Sequence, residues 1–223
     1  MKAVEQIASK KSAVQQIDIF DTPAYGRILV LDGELFITEK DEFIYHEMIT
    51  HVPMAVHPNP RNILVIGAGD GGVLRELTRY SSVESIDLVE IDELVVEVCK
   101  KYLPTTACRF DDPRVHVYYE DGVKFIRRCT DQYDVIIVDS TDPFGPGEGL
   151  FTKEFYGSCF KALRDDGIML RLNAPLLPQP KTDGEEDKDR DGREEGIEDE
   201  LYHGRMYKVQ CTMYNVQCTN RLS

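Results

Sequence analysis

The sequence predicts an α/β protein in which a small antiparallel β-hairpin domain precedes a doubly wound parallel sheet. Two observations support this fold class. Between residues 14 and 39, two segments with alternating polar and apolar residues meet at Asp32-Gly33, which is a strong signal for a two-residue hairpin turn. From Asn62 to Leu172, short apolar runs alternate with helical patterns, and this alternation is typical of a parallel sheet.

The N-terminal part begins with a predicted strand, VQQIDIF (14–20), followed by the hairpin, YGRILVLDGELFITE (25–39). A helix is predicted over residues 41–54, with Thr38 or Asp41 as its N-cap. Four apolar residues recur in it at helical spacing: Phe43, Ile44, Met48 and Ile49. Three prolines are expected to break the chain after it: Pro53, Pro58 and Pro60.

Strands and helices then alternate along the rest of the predicted sheet. The predicted strands are NILVIG (62–67), SIDLVEID (85–92), RVHVYYED (114–121), YDVIIVDS (133–140) and GIMLRL (167–172). Helices are predicted after the first four of them, over residues 71–80, 93–103, 122–129 and 152–167. Each strand–helix–strand unit predicts two parallel strands joined by a crossover helix, so the helices cover both faces of the sheet.

Three segments follow from these patterns. Residues 1–55 form the β domain and its linking helix, residues 56–172 form the parallel-sheet domain, and residues 173–223 form an acidic tail. Lys181–Glu200 contains 15 charged residues and a single large apolar one. Such a segment cannot bury enough apolar surface to offset its conformational entropy, so the tail is predicted to be disordered.

Composition disfavours several classes of protein. The formal net charge of −14 argues against a nucleic-acid binder, which needs a basic face, and is compatible with cationic ligands. No apolar run is long enough to span a membrane. The six cysteines contain no CxxC pair, and no secretory signal is evident, so a reduced, cytoplasmic protein is expected. His46, His51 and His57 lack the i, i+4 spacing of a helical metal pair, so no metal is predicted.

A glycine-rich loop lies between the first predicted strand of the parallel sheet and its helix. In Gly67-Ala68-Gly69-Asp70-Gly71-Gly72, glycines such as Gly67 and Gly69 allow a tight turn and close approach of a ligand to the backbone. Glu90 ends the next strand, where nucleotide-binding folds place an acid for the ribose hydroxyls. We therefore favour nucleoside binding over a plain glycine turn. Asp70 would repel a pyrophosphate, which disfavours a dehydrogenase and favours a nucleoside that carries positive charge, such as a sulfonium.

Acidic residues follow four of the predicted parallel strands, near their carboxyl ends. They are Asp70, Glu90, Asp121, Asp139 and Asp142. Each alone is readily explained as a helix cap or a solvated loop residue. Together they would meet at one edge of the sheet, where α/β proteins bind ligands, and crowded carboxylates are costly unless a cation offsets them.

Several long motifs, in order, resemble the spermidine synthase (polyamine aminopropyltransferase) family, especially its bacterial members. They are GAGDGGVLRELTRY (67–80), VEIDELVV (89–96), YEDGVKF (119–125) and DVIIVDSTDPFGPGEGLFTKEFY (134–156). The resemblance extends from Lys2 to Leu170. It implies a Rossmann-like sheet of the S-adenosylmethionine-methyltransferase type. It also implies transfer of an aminopropyl group from decarboxylated S-adenosylmethionine to putrescine, which yields spermidine and methylthioadenosine.

The resemblance also implies roles for individual residues. Those for the nucleoside are Gln15 and Glu90 at the adenosine and ribose, Asp121 and Gly122 at the adenine, and Pro146 in a loop over the thioether. Those for the acceptor are Tyr45, His46, Asp70 and Asp142 at the amines, with Asp139 as catalytic acid/base. The expected acceptors are putrescine and other small polyamines, with no permanently bound cofactor. Family members form dimers or tetramers, so a homodimer or homotetramer is expected.

The sequence departs from the family pattern after Leu170. Family members continue with a strand end that bears glutamine or histidine, and then with a helix and further strands. None of these is recognisable in RLNAPLLPQPKTDGEED (171–187), so we expect the C-terminal strands to be missing and this part to be truncated or replaced. Two alternatives to an active transferase stay open. One is an S-adenosylmethionine methyltransferase, and the other is a catalytically impaired fragment that acts only in binding or subunit association.

Overall fold

The structure is a computed structural model that describes residues 5–140 and 145–171. Its N-terminal part is a four-stranded antiparallel sheet in which each strand pairs with the next along the chain. The strands are β1 (Glu5–Lys11), β2 (Gln16–Thr22), β3 (Gly26–Leu31) and β4 (Glu34–Thr38). The predicted hairpin is confirmed, since Leu31 pairs with Glu34 across Asp32 and Gly33, whose φ angles are 48° and 90°. Two consecutive left-handed residues match the twist of a two-residue hairpin.

Strand β1 was not predicted, so the N-terminal domain has one strand more than expected. Five of the seven residues of EQIASKK are polar, and none of the seven is fully buried. The segment therefore lacks the alternation of polar and apolar residues that marks a half-buried strand. It pairs only with β2, at the edge of the sheet.

The second sheet is parallel and has five strands, in the spatial order β7-β6-β5-β8-β9. The strands are β5 (Asn62–Gly67), β6 (Ser85–Glu90), β7 (Val115–Tyr119), β8 (Tyr133–Asp139) and β9 (Leu163–Arg171). The helices are α1 (Glu42–Val56), α2 (Gly72–Leu77), α3 (Glu93–Tyr102), α4 (Gly122–Arg127) and α5 (Lys153–Ala162). A short 3₁₀ helix spans Gly145–Phe151.

Helices cover both faces of this sheet, which confirms the predicted doubly wound class. Alternate residues of the central strand pack into two separate cores. Ile63 and Val65 of β5 lie in a core with apolar residues of α1, α2 and α3, whereas Leu64 and Ile66 lie in a core with α4 and α5. All seven residues of β8 are buried, as its unbroken apolar run predicts. Strand order reverses between β5 and β8, and this switch is where such sheets bind ligands.

Several element boundaries differ from the prediction, mostly by a few residues. Pro53 does not break the chain but lies in the last turn of α1, where its carbonyl accepts a hydrogen bond from His57 N at 3.0 Å. The last helix ends at Ala162 rather than at residue 167, because Leu163 is already extended and buried. Arg164 then reaches β8, and its Nη1 donates to Asp134 Oδ1 at 2.9 Å.

The division into residues 1–55, 56–172 and 173–223 stays a prediction. The predicted disordered tail and the predicted loss of C-terminal strands fall on residues outside those that the structure describes. None of the helices in the described part of the chain has the length and apolar character that crossing a bilayer requires.

Candidate active site

A cleft lies at the carboxyl edge of the parallel sheet, between this edge and the N-terminal sheet. The N-terminal sheet and the loop before β2 contribute one wall: Val14, Gln15, Leu31 and Phe36. The opposite wall consists of residues at the ends of β5, β6 and β8 and at the start of α4, including Gly69, Glu90, Asp121, Gly122 and Asp139. Both sheets are therefore needed to form the cleft.

The loop between β5 and α2 follows a path that only small residues allow. Gly67, Ala68 and Gly71 all have positive φ, at 87°, 61° and 85°. A Cβ atom at Gly67 would overlap the backbone carbonyl of Asp139, and the neighbouring Ala68 N donates to that same carbonyl at 3.0 Å. The loop is thus bound directly to the end of β8, so the glycine-rich turn and Asp139 share one fixed geometry.

Glu90 lines the part of the cleft where we predict the nucleoside. Its carboxylate is buried, and Oε1 accepts a hydrogen bond from Asp92 N at 2.9 Å. Gly69 leaves room for the other oxygen, because a Cβ atom there would lie 2.8 Å from Glu90 Oε2. Burial, aided by the charge of Asp92, raises the pKa of Glu90 to about 7.

Asp92 connects the two sheets beside Glu90. Its Oδ2 accepts hydrogen bonds from Ser12 Oγ at 2.7 Å and from Gln15 Nε2 at 3.1 Å. Its Oδ1 accepts from Leu94 N at 3.2 Å and caps α3. Asp92 and Ser12 were missed by the sequence analysis. The position of Asp92 before a predicted helix indicated an N-cap. Its contacts with Ser12 and Gln15 were not indicated, because those residues lie about 80 positions away along the chain.

Asp121 and Gly122 line the cleft at the start of α4. Asp121 is the N-cap of α4 and accepts a hydrogen bond from Val123 N at 2.8 Å. The explanation of this acid as a helix cap is therefore correct, and it does not exclude a ligand-binding role. Gly122 packs against Ile66, where a Cβ atom would lie 2.5 Å from Cγ2. Pro146 belongs to the 3₁₀ helix. Gly147 and Leu150 of this helix line the cleft.

Three buried polar side chains and the half-buried Tyr45 form a cluster beside this part of the cleft. Tyr45 donates its hydroxyl hydrogen to Asp139 Oδ1 at 2.5 Å. Asp70 Oδ1 accepts from Gly72 N at 2.7 Å and lies 3.1 Å from His46 Nε2. The N–H of His46 is not well aligned with that oxygen, so the contact is an ion pair rather than a strong hydrogen bond. We call this cluster of Tyr45, His46, Asp70 and Asp139 the acidic pocket.

The acidic pocket holds carboxylate oxygens that have no protein partner. Among the residues that the structure describes, Asp70 Oδ2 and Asp139 Oδ2 are buried without a hydrogen bond. Burial and the nearby charge of Asp70 raise the pKa of Asp139 to about 6, although His46 and Tyr45 oppose this rise. Burial would also raise the pKa of Asp70, but His46 outweighs it and lowers that pKa. The two carboxyl groups therefore differ in proton affinity, and Asp139 is the better base.

His46 is held from behind by residues that the sequence analysis missed. It is completely buried. Glu42, one turn earlier on α1, contacts His46 Nδ1 through Oε2 at 2.5 Å. Arg75 of α2 donates to both oxygens of Glu42, at 2.7 and 2.9 Å. The i, i+4 spacing of Glu42 and His46 was the available signal.

Comparison with models of protein families shows which family this chain belongs to. The model described as "Spermine/spermidine synthase domain" matches residues 42–181, which is more than half of the chain. The chain belongs to the spermine/spermidine synthase family. A second model, "Spermidine synthase tetramerisation domain", matches residues 4–39, which contain all four strands of the N-terminal sheet.

Similar proteins agree with this membership. The chain is 63% identical over 170 residues to a polyamine aminopropyltransferase of Alkaliphilus oremlandii and 64% identical to one of Lachnoclostridium phytofermentans, with 76% of this chain covered in both. A spermidine synthase solved in complex with the transition state analogue AdoDATO shares 50% identity and a TM-score of 0.75 over 76% of this chain and 58% of its own. The spermidine synthase of Thermotoga maritima gives a TM-score of 0.72 at the same identity. The chain spans about 60% of the length of these curated relatives.

For this member of the spermine/spermidine synthase family, the structure brings most of the predicted site residues to one edge of the sheet. Those that line the cleft or form the acidic pocket are Gln15, Tyr45, His46, Gly67, Gly69, Asp70, Glu90, Asp121, Gly122 and Asp139. Asp142 lies outside the described residues. The roles assigned to all of these residues stay predictions.

The acidic pocket fits an organic cation better than a metal ion. His46, Asp70 and Asp139 each place one potential ligand atom within 4.8 Å of the others. A histidine must lose a ring proton to bind a metal. Burial lowers the pKa of His46, but Asp70 and Glu42 raise it to about 10, so the ring keeps both protons. An ammonium group needs only acceptors, and the two carboxylates provide them.

Proposed function

We propose that this protein transfers the aminopropyl group of decarboxylated S-adenosylmethionine to putrescine or another small polyamine. The products with putrescine are spermidine and methylthioadenosine. The observation that carries the proposal is the acidic pocket, in which Asp70 Oδ2 and Asp139 Oδ2 are buried without a described partner beside the cleft. Buried carboxylates without partners are costly, and a bound ammonium group would offset that cost. Similarity to polyamine aminopropyltransferases and to a synthase that binds AdoDATO supports it.

In this proposal the part of the cleft that Glu90 lines binds the co-substrate. Glu90 accepts hydrogen bonds from the ribose hydroxyls, with Gln15 beside it, and Asp121 with Gly122 binds the adenine. Gly67 and Gly69 let the nucleoside approach the backbone of the loop after β5. Pro146, in the 3₁₀ helix, lies over the thioether. No cofactor is bound permanently, because the nucleoside is consumed at each turnover.

The acidic pocket performs the proton chemistry. The acceptor enters as an ammonium ion, held by the carboxylates of Asp70 and Asp142 and by the hydroxyl oxygen of Tyr45, and Asp142 lies outside the described residues. His46, which is itself a cation, contributes by orienting Asp70. Asp139 takes one proton, so that the freed amine nitrogen can attack the methylene carbon next to sulfur. The carbon–sulfur bond breaks as the carbon–nitrogen bond forms, and its electron pair stays on sulfur, which turns the sulfonium into a neutral thioether. Holding amine and carbon in line supplies much of the remaining rate.

Tyr45 orients the base in this scheme. Its hydroxyl occupies Asp139 Oδ1, which leaves Oδ2 for the amine. Burial raises the pKa of Tyr45 well above its usual value, and the charge and hydrogen bond of Asp139 add to the rise. Tyr45 therefore remains a hydrogen-bond donor throughout and does not compete with Asp139 for the proton.

We also propose that the chain self-associates through its N-terminal sheet. The match of residues 4–39 to the tetramerisation domain supports this, and a homodimer or homotetramer is expected. The expected location is the cytoplasm.

A competition experiment separates aminopropyl transfer from methyl transfer, which uses intact S-adenosylmethionine. The intact compound carries an additional carboxylate, which the charges of Asp70 and Asp139 would repel. We expect decarboxylated S-adenosylmethionine to displace bound methylthioadenosine at a concentration at least about tenfold lower than the intact compound does. Asp70→Asn should reduce the difference between the concentrations of the two compounds that displace methylthioadenosine. Asp111→Asn, an equal charge change at an exposed side chain, should leave that difference unchanged. Equal or tighter binding of the intact compound would contradict the proposal.

A further inference from the structure

An ion pair lies behind the acidic pocket, on the far side of the His46 ring. Glu42 contacts Nδ1 of the ring, while Asp70 faces Nε2 on the opposite side. Arg75 occupies both oxygens of Glu42, and it also donates from Nε to Glu76 Oε1 at 2.8 Å. Glu42 is buried, so its charge acts on His46 with little screening by solvent. None of these contacts takes part in the proton transfer described above.

We propose that Glu42, held in place by Arg75, is a positioning residue that keeps His46 doubly protonated and facing Asp70. The charged His46 ring then serves as the counterion of Asp70, which leaves Asp139 as the base for the acceptor amine. The inference deepens the proposed function and rests on it for the identity of the acceptor. The charge state of His46 can be measured without any substrate.

The geometry determines the protonation of both ring nitrogens. A neutral imidazole would have to leave one nitrogen without a proton. An unprotonated Nδ1 would direct its lone pair at Glu42 Oε2, 2.5 Å away, and an unprotonated Nε2 would leave a neutral ring 3.1 Å from the negative charge of Asp70 Oδ1. Both arrangements are less favourable than a ring that carries both protons, so the protein favours the imidazolium. Burial lowers the pKa of His46, but its two acidic neighbours raise it to about 10.

The ring has little freedom to escape this arrangement. A Cβ atom at Gly72 would overlap the His46 ring, so α2 packs directly against its face. Tyr45 contacts the ring edge-on, with centroids 5.4 Å apart. The charged and titratable groups that face His46 are Glu42 and Tyr45 of α1, Asp70 of the loop after β5, and Asp139 of β8, with Arg75 of α2 acting through Glu42.

The charge of His46 gives the two aspartates of the acidic pocket different roles. With His46 charged, Asp70 has a permanent counterion, and the positive ring also lowers the pKa of Asp139. If His46 became neutral, neither of the buried carboxylates of Asp70 and Asp139 would have a positively charged protein neighbour to offset its charge. The acceptor would then bind well in its fully protonated form, which cannot attack. Loss of the His46 charge should therefore reduce turnover more than it weakens acceptor binding.

The first test reads the charge of His46 directly. In the full chain labelled with ¹⁵N-histidine and free of ligand, the long-range ¹H–¹⁵N correlation distinguishes an imidazolium from a neutral ring, and His46→Gln assigns the signal. We expect His46 to stay doubly protonated at pH 8.5, and Glu42→Gln to lower the pKa of His46 by about 1–3. Glu47→Gln, the same change at an exposed position of α1, should leave it unaltered. A neutral His46 at pH 8 in the natural sequence, or no change in Glu42→Gln, would overturn the inference.

The second test measures turnover as a function of pH. In Glu42→Gln, kcat should be about tenfold lower than in the natural sequence at pH 9, with most of the loss recovered at pH 7, where His46 regains its proton. The KM for the diamine should not rise. A defect of equal size at both pH values would indicate a structural role and contradict the inference. Absence of turnover in the natural sequence would count against the proposed function instead, and the histidine spectra would still decide whether Glu42 controls His46.

Discussion

Asp139→Asn is expected to reduce aminopropyl transfer by a factor of about 10²–10⁴ while making the folded protein more stable. The loss of activity follows because an amide cannot accept the proton of the acceptor amine. The hydrogen bond from Tyr45 survives, since the amide oxygen can still accept it, so the pocket should keep its shape. Methylthioadenosine release under saturating substrates measures the first effect, and binding of methylthioadenosine should change little.

The gain in stability follows from the pKa of Asp139, which is raised from 3.8 to about 6 in the folded protein. A carboxyl group with a raised folded pKa costs stability above that value, because the folded state must bury its charge. The cost builds up between pH 3.8 and 6 and is constant at higher pH. Urea unfolding should therefore show Asp139→Asn stabilised by about 1–3 kcal/mol at pH 7.5 and hardly changed at pH 3.5. Asp111→Asn is the control at an exposed carboxyl group, and a variant destabilised at pH 7.5 would contradict the burial argument.

Gly67→Ala is expected to have the largest effect on folding. Its φ of 87° is strained for any residue with a side chain, and the added Cβ atom would overlap the backbone carbonyl of Asp139. Neither strand end can move, because Gly67 and Asp139 are paired neighbours in the sheet. We expect a loss of about 4 kcal/mol or more, with little soluble folded protein.

A matched variant separates the two causes of this loss. Gly33 has nearly the same φ, at 90°, but a Cβ atom there would meet nothing within 4 Å. Gly33→Ala should therefore cost only about 1–2 kcal/mol, the penalty of the left-handed backbone itself. Thermal unfolding of both variants measures the difference. If Gly67→Ala were as stable as Gly33→Ala, the close contact between the glycine loop and Asp139 would be wrong.

The parallel sheet could be predicted from the sequence because its central strands, β5 and β8, are buried on both faces. The unbroken run Val135–Val138 has no other stable location than the centre of such a sheet, and β8 is indeed fully buried. The acids at the strand ends then had to meet at one edge, since parallel strands share a direction. Strand β1 could not be predicted, because its polar sequence is held mainly by backbone pairing to β2.

The acidic pocket was only partly predictable, for a different reason. Local pattern shows that His46 lies on a helix but not which face of that helix is covered. That face is set by α2, whose Gly72 leaves room for the ring. The contacts of Glu42 with Arg75 and of Asp92 with Ser12 link residues 33 and 80 positions apart. Such contacts depend on tertiary packing, and periodicity along the chain does not encode them.

The most direct test of the account is product formation by purified residues 1–223 given decarboxylated S-adenosylmethionine and putrescine. The account predicts that methylthioadenosine and spermidine appear in equal amounts by mass spectrometry, and that both are lost in Asp139→Asn. A folded protein that binds methylthioadenosine yet forms neither product would contradict the claim that these residues form a working transferase site.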